Sequence, residues 1–146
     1  MIPTRQNEDW ELIHQQYRYY FEPSQMTSVA KDIEDRQDIQ VLVDNFYEKV
    51  KVDNLLGPVF AGLDWPHHLP IMYNFWSSML LGDQSYRGNP FEKHVRLAIT
   101  REHFTRWLQL FKETVDEYFI GEKADEVKMR ADSIAGIFQH KMGLAS

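Results

Sequence analysis

The chain contains no cysteine, so disulfides, thiolate metal centres and CxxC redox chemistry are excluded. No apolar run approaches the roughly 20 residues that a membrane-spanning helix requires. The N-terminus passes from Arg5 into Asn7, Glu8 and Asp9 with no signal-peptide apolar block, which leads us to expect a cytoplasmic protein. Basic residues are in deficit: 16 Lys and Arg face 22 Asp and Glu, for a net charge of −6. A nucleic-acid surface needs clustered cations to displace phosphate counterions, so nucleic acid is not an expected partner. Phosphate-binding glycine loops, the nucleophile elbow, HExxH and calcium loops are all missing, and no catalytic residue is assigned. Repeats, low-complexity tracts and sustained period-two alternation are also absent, which points to an all-α fold.

What the chain has is aromatic bulk at helical spacing. At 146 residues it is long enough for one compact domain with its own core, and four Trp, seven Tyr and nine Phe supply large side chains for it. Ile39, Leu42, Val43, Phe46 and Val50 make one apolar face on a helix from about Arg36 to Asp53, which Asp53-Asn54 and Gly57-Pro58 interrupt. Asp64-Trp65-Pro66 opens a second helix, with Asp64 as cap candidate and Leu69, Met72, Phe75, Trp76 and Met79 inward. Gly82-Asp83 ends it. Asn89-Pro90 starts a short helix carrying Phe91, His94 and Val95. Thr100 caps a longer helix on which Phe104, Trp107, Leu108, Phe111, Val115 and Tyr118 share a face until Gly121. Val127, Ala131, Ile134 and Phe138 mark a last helix that stops near Gly143.

Residues 1–27 read as an N-terminal extension and 28–146 as the domain. Trp10, Ile13, His14, Tyr17, Tyr20 and Phe21 recur at helical spacing before Pro23, as an amphipathic helix that packs on the domain, meets a partner or touches a membrane surface would. An appendage with no part in the chemistry is the alternative.

Histidine and aromatic placement carries what chemistry the sequence offers. An imidazole in an apolar cleft, as His94 would be, is the usual protein ligand to a haem iron. On spacing alone, a core histidine bonded to a backbone carbonyl is the commoner case. His67 and His68 are adjacent, so on a helix their side chains diverge by about 100° and one faces inward. His68, in register with Met72, Phe75 and Trp76, is the inward candidate, against a half-exposed histidine near a helix start. Tyr47 and Trp107 each carry a donor that burial obliges to find a partner, so each can serve a bound ligand as well as fill core.

Read together, five segments resemble the third group of truncated haemoglobins: DIEDRQDIQVLVDNFYEKV from Asp32, LLGPVF from Leu55, HHLPIMYNFWSSMLLG from His67, YRGNPFEKH from Tyr86 and HFTRWLQLF from His103. The resemblance runs from about Asp32 to Gly143. It implies a truncated globin-like helical sandwich around one haem b, with the proximal histidine at His94, the distal tyrosine at Tyr47, the distal histidine at His68 and the pocket tryptophan at Trp107. It further places a pocket aromatic at Phe60 and a second tryptophan at Trp76, beside the inward Met72. The stretch between Phe60 and Trp65 looks shorter than in the relatives, and the N-terminal extension has no counterpart. Without cysteine, the CxxCH attachment of haem is excluded and the cofactor must be held non-covalently. Arg87, Lys93 and Arg96 are the basic residues near the expected mouth, with Arg96 the candidate for the haem propionates and a solvated surface role as its alternative.

The resemblance implies binding of O2, CO, NO or peroxide at iron, with slow O2 release from a polar distal pocket. A redox enzyme, either an NO dioxygenase or peroxidase-like, is the alternative. It would need an external reductase, because no flavin or nicotinamide motif is present. A third class is a helical partner-binding module that uses the aromatic N-terminus.

Overall fold

The computed structural model describes residues 31–88 and 99–144. Over these the chain is helical: α1 (Arg36–Val52), α2 (Gly57–Phe60), α3 (Trp65–Leu81), α4 (Arg101–Tyr118) and α5 (Glu122–Lys141). α1 packs against both α3 and α4, and α4 against α5, so α1 and α4 form the middle of a helical sandwich. No helix among the described residues is long and apolar enough to cross a membrane.

Local sequence explains the boundaries. Asp35 and Asp38 form a capping box at the start of α1, the Asp38 amide donating to Asp35 Oδ1 at 3.0 Å. Ile39, Leu42, Val43, Phe46 and Val50 are buried along one stripe, as their spacing predicts. The chain leaves α1 at Asp53, whose Oδ2 accepts from the amides of Leu55 and Leu56 at 3.1 and 2.9 Å and turns the backbone into α2. Gly57 is required there, since a Cβ would stand 2.9 Å from the Lys51 carbonyl oxygen. Sequence reading treats Gly57-Pro58 only as a break; the break itself contains the four-residue turn that buries Phe60.

Asp64 occupies the cap position of α3, but its carboxylate makes no capping hydrogen bond. Pro66 sits in the first turn, where its missing N–H has no helical role. Pro70, one turn later, removes the N–H that would reach back to the Pro66 carbonyl, so this end of α3 is held by fewer backbone bonds. Met72, Phe75 and Trp76 are buried, whereas Leu69 and Met79 are half-buried against the core. The helix ends at Gly82, whose φ of +73° is the left-handed conformation glycine adopts freely.

Thr100 caps α4 as expected, and does so reciprocally with His103. The helix stops at Tyr118, three residues before the predicted Gly121, because Phe119 turns extended and is itself buried. Asp32 then caps α5, accepting from the amides of Lys123 and Ala124 at 2.9 and 2.8 Å. Val127, Ala131 and Phe138 are buried, with Ile134 half-buried.

Candidate functional site

Between α3, α4 and α5 lies a cleft that opens to solvent. α1 contributes Tyr47; the α2 turn contributes Leu56 and Phe60; α3 contributes Met72, Phe75 and Trp76. From the other side come Ile99, His103, Phe104 and Trp107, and α5 closes the wall with Ile134, Ala135 and Phe138. The wall is thus apolar and largely aromatic, with four side chains that carry a polar atom: Tyr47, Trp76, His103 and Trp107.

Tyr47, like Trp76, is buried. Its side chain is 5% exposed, and its hydroxyl makes no hydrogen bond among the described residues. Burial pushes the phenol well above its ordinary value of about 10. It therefore keeps its proton and remains a donor. The ring is wedged among Phe46 (centroids 4.9 Å), Trp65 (5.1 Å), His68 (5.5 Å) and Phe60 (6.2 Å), which restricts where the hydroxyl can point.

Trp107 is half-buried on the opposite helix. Its ring stacks on Phe111 at 5.4 Å and 12° and meets Phe46 edge-on at 5.7 Å. Phe111 in turn stacks on Trp76 at 4.9 Å. The indole N–H makes no hydrogen bond among the described residues, so it too is a donor in the cleft wall.

His68 is half-buried and His67 exposed, as the register predicts. The His68 ring stands edge-on to Tyr47 and to Trp65, at 5.5 and 5.6 Å, rather than in the cleft wall itself. Lys51 Nζ covers Trp65 at 4.8 Å from its centroid. His68 thus belongs to a cluster behind Tyr47, on the side of the α3 start.

Of the residues singled out in the sequence, Tyr47, Phe60, Met72, Trp76 and Trp107 come together in one wall. His94 and Arg96 lie outside the described residues, as do the short helix expected from Asn89-Pro90 and the N-terminal extension. Sequence reading did not single out His103 or the α5 residues as lining. Spacing showed the α5 residues to face inward, without showing that they border a gap; His103 lay unremarked within HFTRWLQLF.

The lining suits a flat apolar group, and the donors of Tyr47 and Trp107 suit a small acceptor held beside it. A helical sandwich around such a cleft defines the globin class of proteins. Comparison with known proteins agrees. Residues 30–141 match the family of bacterial-like globins. The chain is 36% identical over 114 residues to a group 3 truncated hemoglobin, ctb, of Campylobacter jejuni, across 73% of this chain and 90% of that protein. It is 30% identical over 80 residues to the group 1 truncated hemoglobin GlbN of Nostoc commune, across 54% and 68% of the two chains. The crystal structure of the group III truncated hemoglobin from Campylobacter jejuni superposes with a TM-score of 0.70 at 36% identity, covering 75% of this chain and 92% of that one.

The chain belongs to the bacterial-like globin family, and the third group of truncated haemoglobins is the part of it that the sequence resembles. Membership implies a haem-based protein that binds small ligands.

Proposed function

We propose that this is a cytoplasmic haem b protein that binds O2 and other diatomic ligands, with His94 as the protein ligand to iron and with slow O2 release. When bound, haem would supply the iron at which a diatomic ligand is taken up. His94 would hold the cofactor through a neutral imidazole. Tyr47 and Trp107, which line the cleft, would donate toward the bound ligand. The observation that carries this reading is that two donors from different helices, Tyr47 buried and protonated and Trp107 stacked in place, share one cleft without another acceptor among the described residues.

O2 bound by such a haem would carry partial negative charge, and a donor to a charged acceptor contributes roughly 1.5–3 kcal/mol. At about 1.4 kcal/mol per decade, two such donors slow O2 release by orders of magnitude. Slow release suits scavenging or redox chemistry better than delivery. NO dioxygenation or peroxide reduction would use the same donors together with an external reductase. Stopped-flow O2 release tests the reading: Tyr47→Phe and Trp107→Phe each release O2 faster than the parent, and unchanged release in both would overturn the polar distal pocket. Rapid, reductant-dependent NO loss by the purified protein would favour the enzyme over the binder.

A further inference from the structure

His103 is a further polar side chain of the cleft wall, and neither the sequence nor the family comparison gave it a role. It sits at the third position of α4 and is partly exposed, whereas Tyr47, Met72 and Trp76 lie buried. It therefore marks the open rim. Its ring orientation is fixed by the cap: the Thr100 backbone N–H donates to His103 Nδ1 at 3.0 Å, and Thr100 Oγ1 stands 2.9 Å from the same atom.

An N–H donor at Nδ1 needs the lone pair of that nitrogen, which puts the imidazole proton on Nε2. The helix cap thus selects a tautomer. In that tautomer Nε2 has no lone pair to give a metal; it is a hydrogen-bond donor. It makes no hydrogen bond among the described residues. Beside it on α4 the described cations are occupied: the Arg101 guanidinium donates to the Leu144 carbonyl, and Arg106 pairs with Asp53; Arg96, the other candidate for this role, lies outside the described residues.

We propose that His103 Nε2–H is an anion-binding donor at the cleft rim and holds a carboxylate of the bound haem. The proposal rests on the haem reading above. A ring bearing two carboxylates enters an apolar cleft with those charges at the solvent edge, because burying an unpaired charge is far more costly than burying the ring. Of the two partly exposed polar residues of the wall, Trp107 is stacked on Phe111, whereas His103 carries an Nε2–H that the cap leaves over. Its role is distinct from that of His94: one imidazole would hold the metal, while the other, its Nδ1 occupied by the cap, holds the anionic edge.

The test compares haem release from the full-length protein loaded either with protohaem or with its dimethyl ester, in which both carboxylates are blocked. Release is followed as transfer to excess apomyoglobin. His103→Glu retains the Thr-x-x-Glu capping box while replacing the donor by an anion. His103→Leu removes the donor without adding charge. Losing a hydrogen bond to a charged group is worth about tenfold or more in release rate. Both variants should therefore lose protohaem at least about tenfold faster than the parent, and lose the ester at the rate of the parent or with an equal change that reflects fold stability alone.

Equal acceleration for protohaem and ester would mean a structural role only and would overturn the proposal. Acceleration confined to His103→Glu would show repulsion by an added charge rather than donation by the imidazole, and would overturn it as well. A parent chain that takes up no haem would overturn the haem reading together with this assignment, whereas a parent that binds haem while His103→Leu behaves like it overturns this assignment alone.

Discussion

Arg106 Nε donates to Asp53 Oδ1 at 2.6 Å, joining the end of α1 to α4 one residue before Trp107. The Asp53 side chain is 4% exposed and the Arg106 side chain 40%, so the carboxylate is the buried partner. Its second oxygen caps the turn that delivers Phe60 to the cleft. One carboxylate therefore sets two parts of the site relative to each other.

Asp53 should make stability depend on pH. Burial alone would raise its pKa, but the Leu56 amide, the Arg106 guanidinium and the Leu55 amide outweigh burial and hold the carboxyl below its ordinary value. The unfolded chain then binds the proton more readily, so the contribution is present above the unfolded value near 4 and is lost as pH falls through the lower folded value. Asp53→Ala leaves the Leu55 and Leu56 amides without their acceptor and should cost about 2 kcal/mol at neutral pH. Urea midpoints at neutral pH and near pH 2 check this. The gap between parent and variant should shrink in acid; a gap independent of pH would mean that the carboxylate charge is not what stabilises the turn.

Tyr47 and Trp107 should act on one ligand rather than on two separate features of the pocket. Each single phenylalanine variant should speed O2 release by about tenfold or more, while changing CO release less, because bound CO carries less negative charge at its outer atom. The double variant should depart from the sum of the singles, since sites that share a partner couple. Stopped-flow O2 release on the four proteins of the cycle measures the coupling. Strict additivity would place the two donors on different acceptors.

His68 should govern entry more than retention. It stands behind Tyr47 and beside Trp65, on the turn of α3 where Pro70 removes a backbone hydrogen bond. Such a turn can move without disturbing the buried Met72-Phe75-Trp76 stripe. His68→Leu should therefore change CO association several-fold while leaving O2 release within about twofold. A large rise in O2 release with unchanged CO association would make His68 a direct donor instead.

The helices were legible because their signals are local. The 3–4 spacing of Ile39 to Val50, the Thr100 cap and the Gly82 stop each lie within a few residues of what they control, and α1, α3 and α4 begin where these signals place them. The α2 turn was not legible, since four residues are too few to show a period and Gly57-Pro58 carries the composition of a break. The cleft was legible in part. Spacing and resemblance indicated Tyr47, Phe60, Met72, Trp76 and Trp107, but not that Phe104 and Phe138 border a gap rather than fill the core. The Asp53 to Arg106 contact spans 53 positions of sequence and has no local signature at all. His103 went unread for another reason: its role follows from which ring nitrogen the cap engages, and that is visible only with atoms in place.

The central claim is that haem sits in this cleft on His94. The most direct measurement is the ferrous absorption spectrum of the purified, haem-loaded protein beside that of His94→Ala, each with and without added imidazole. The parent should give the spectrum of a histidine-ligated haem, and His94→Ala should lose the haem or regain that spectrum when imidazole is supplied. An unchanged ferrous spectrum in His94→Ala without imidazole would contradict the account.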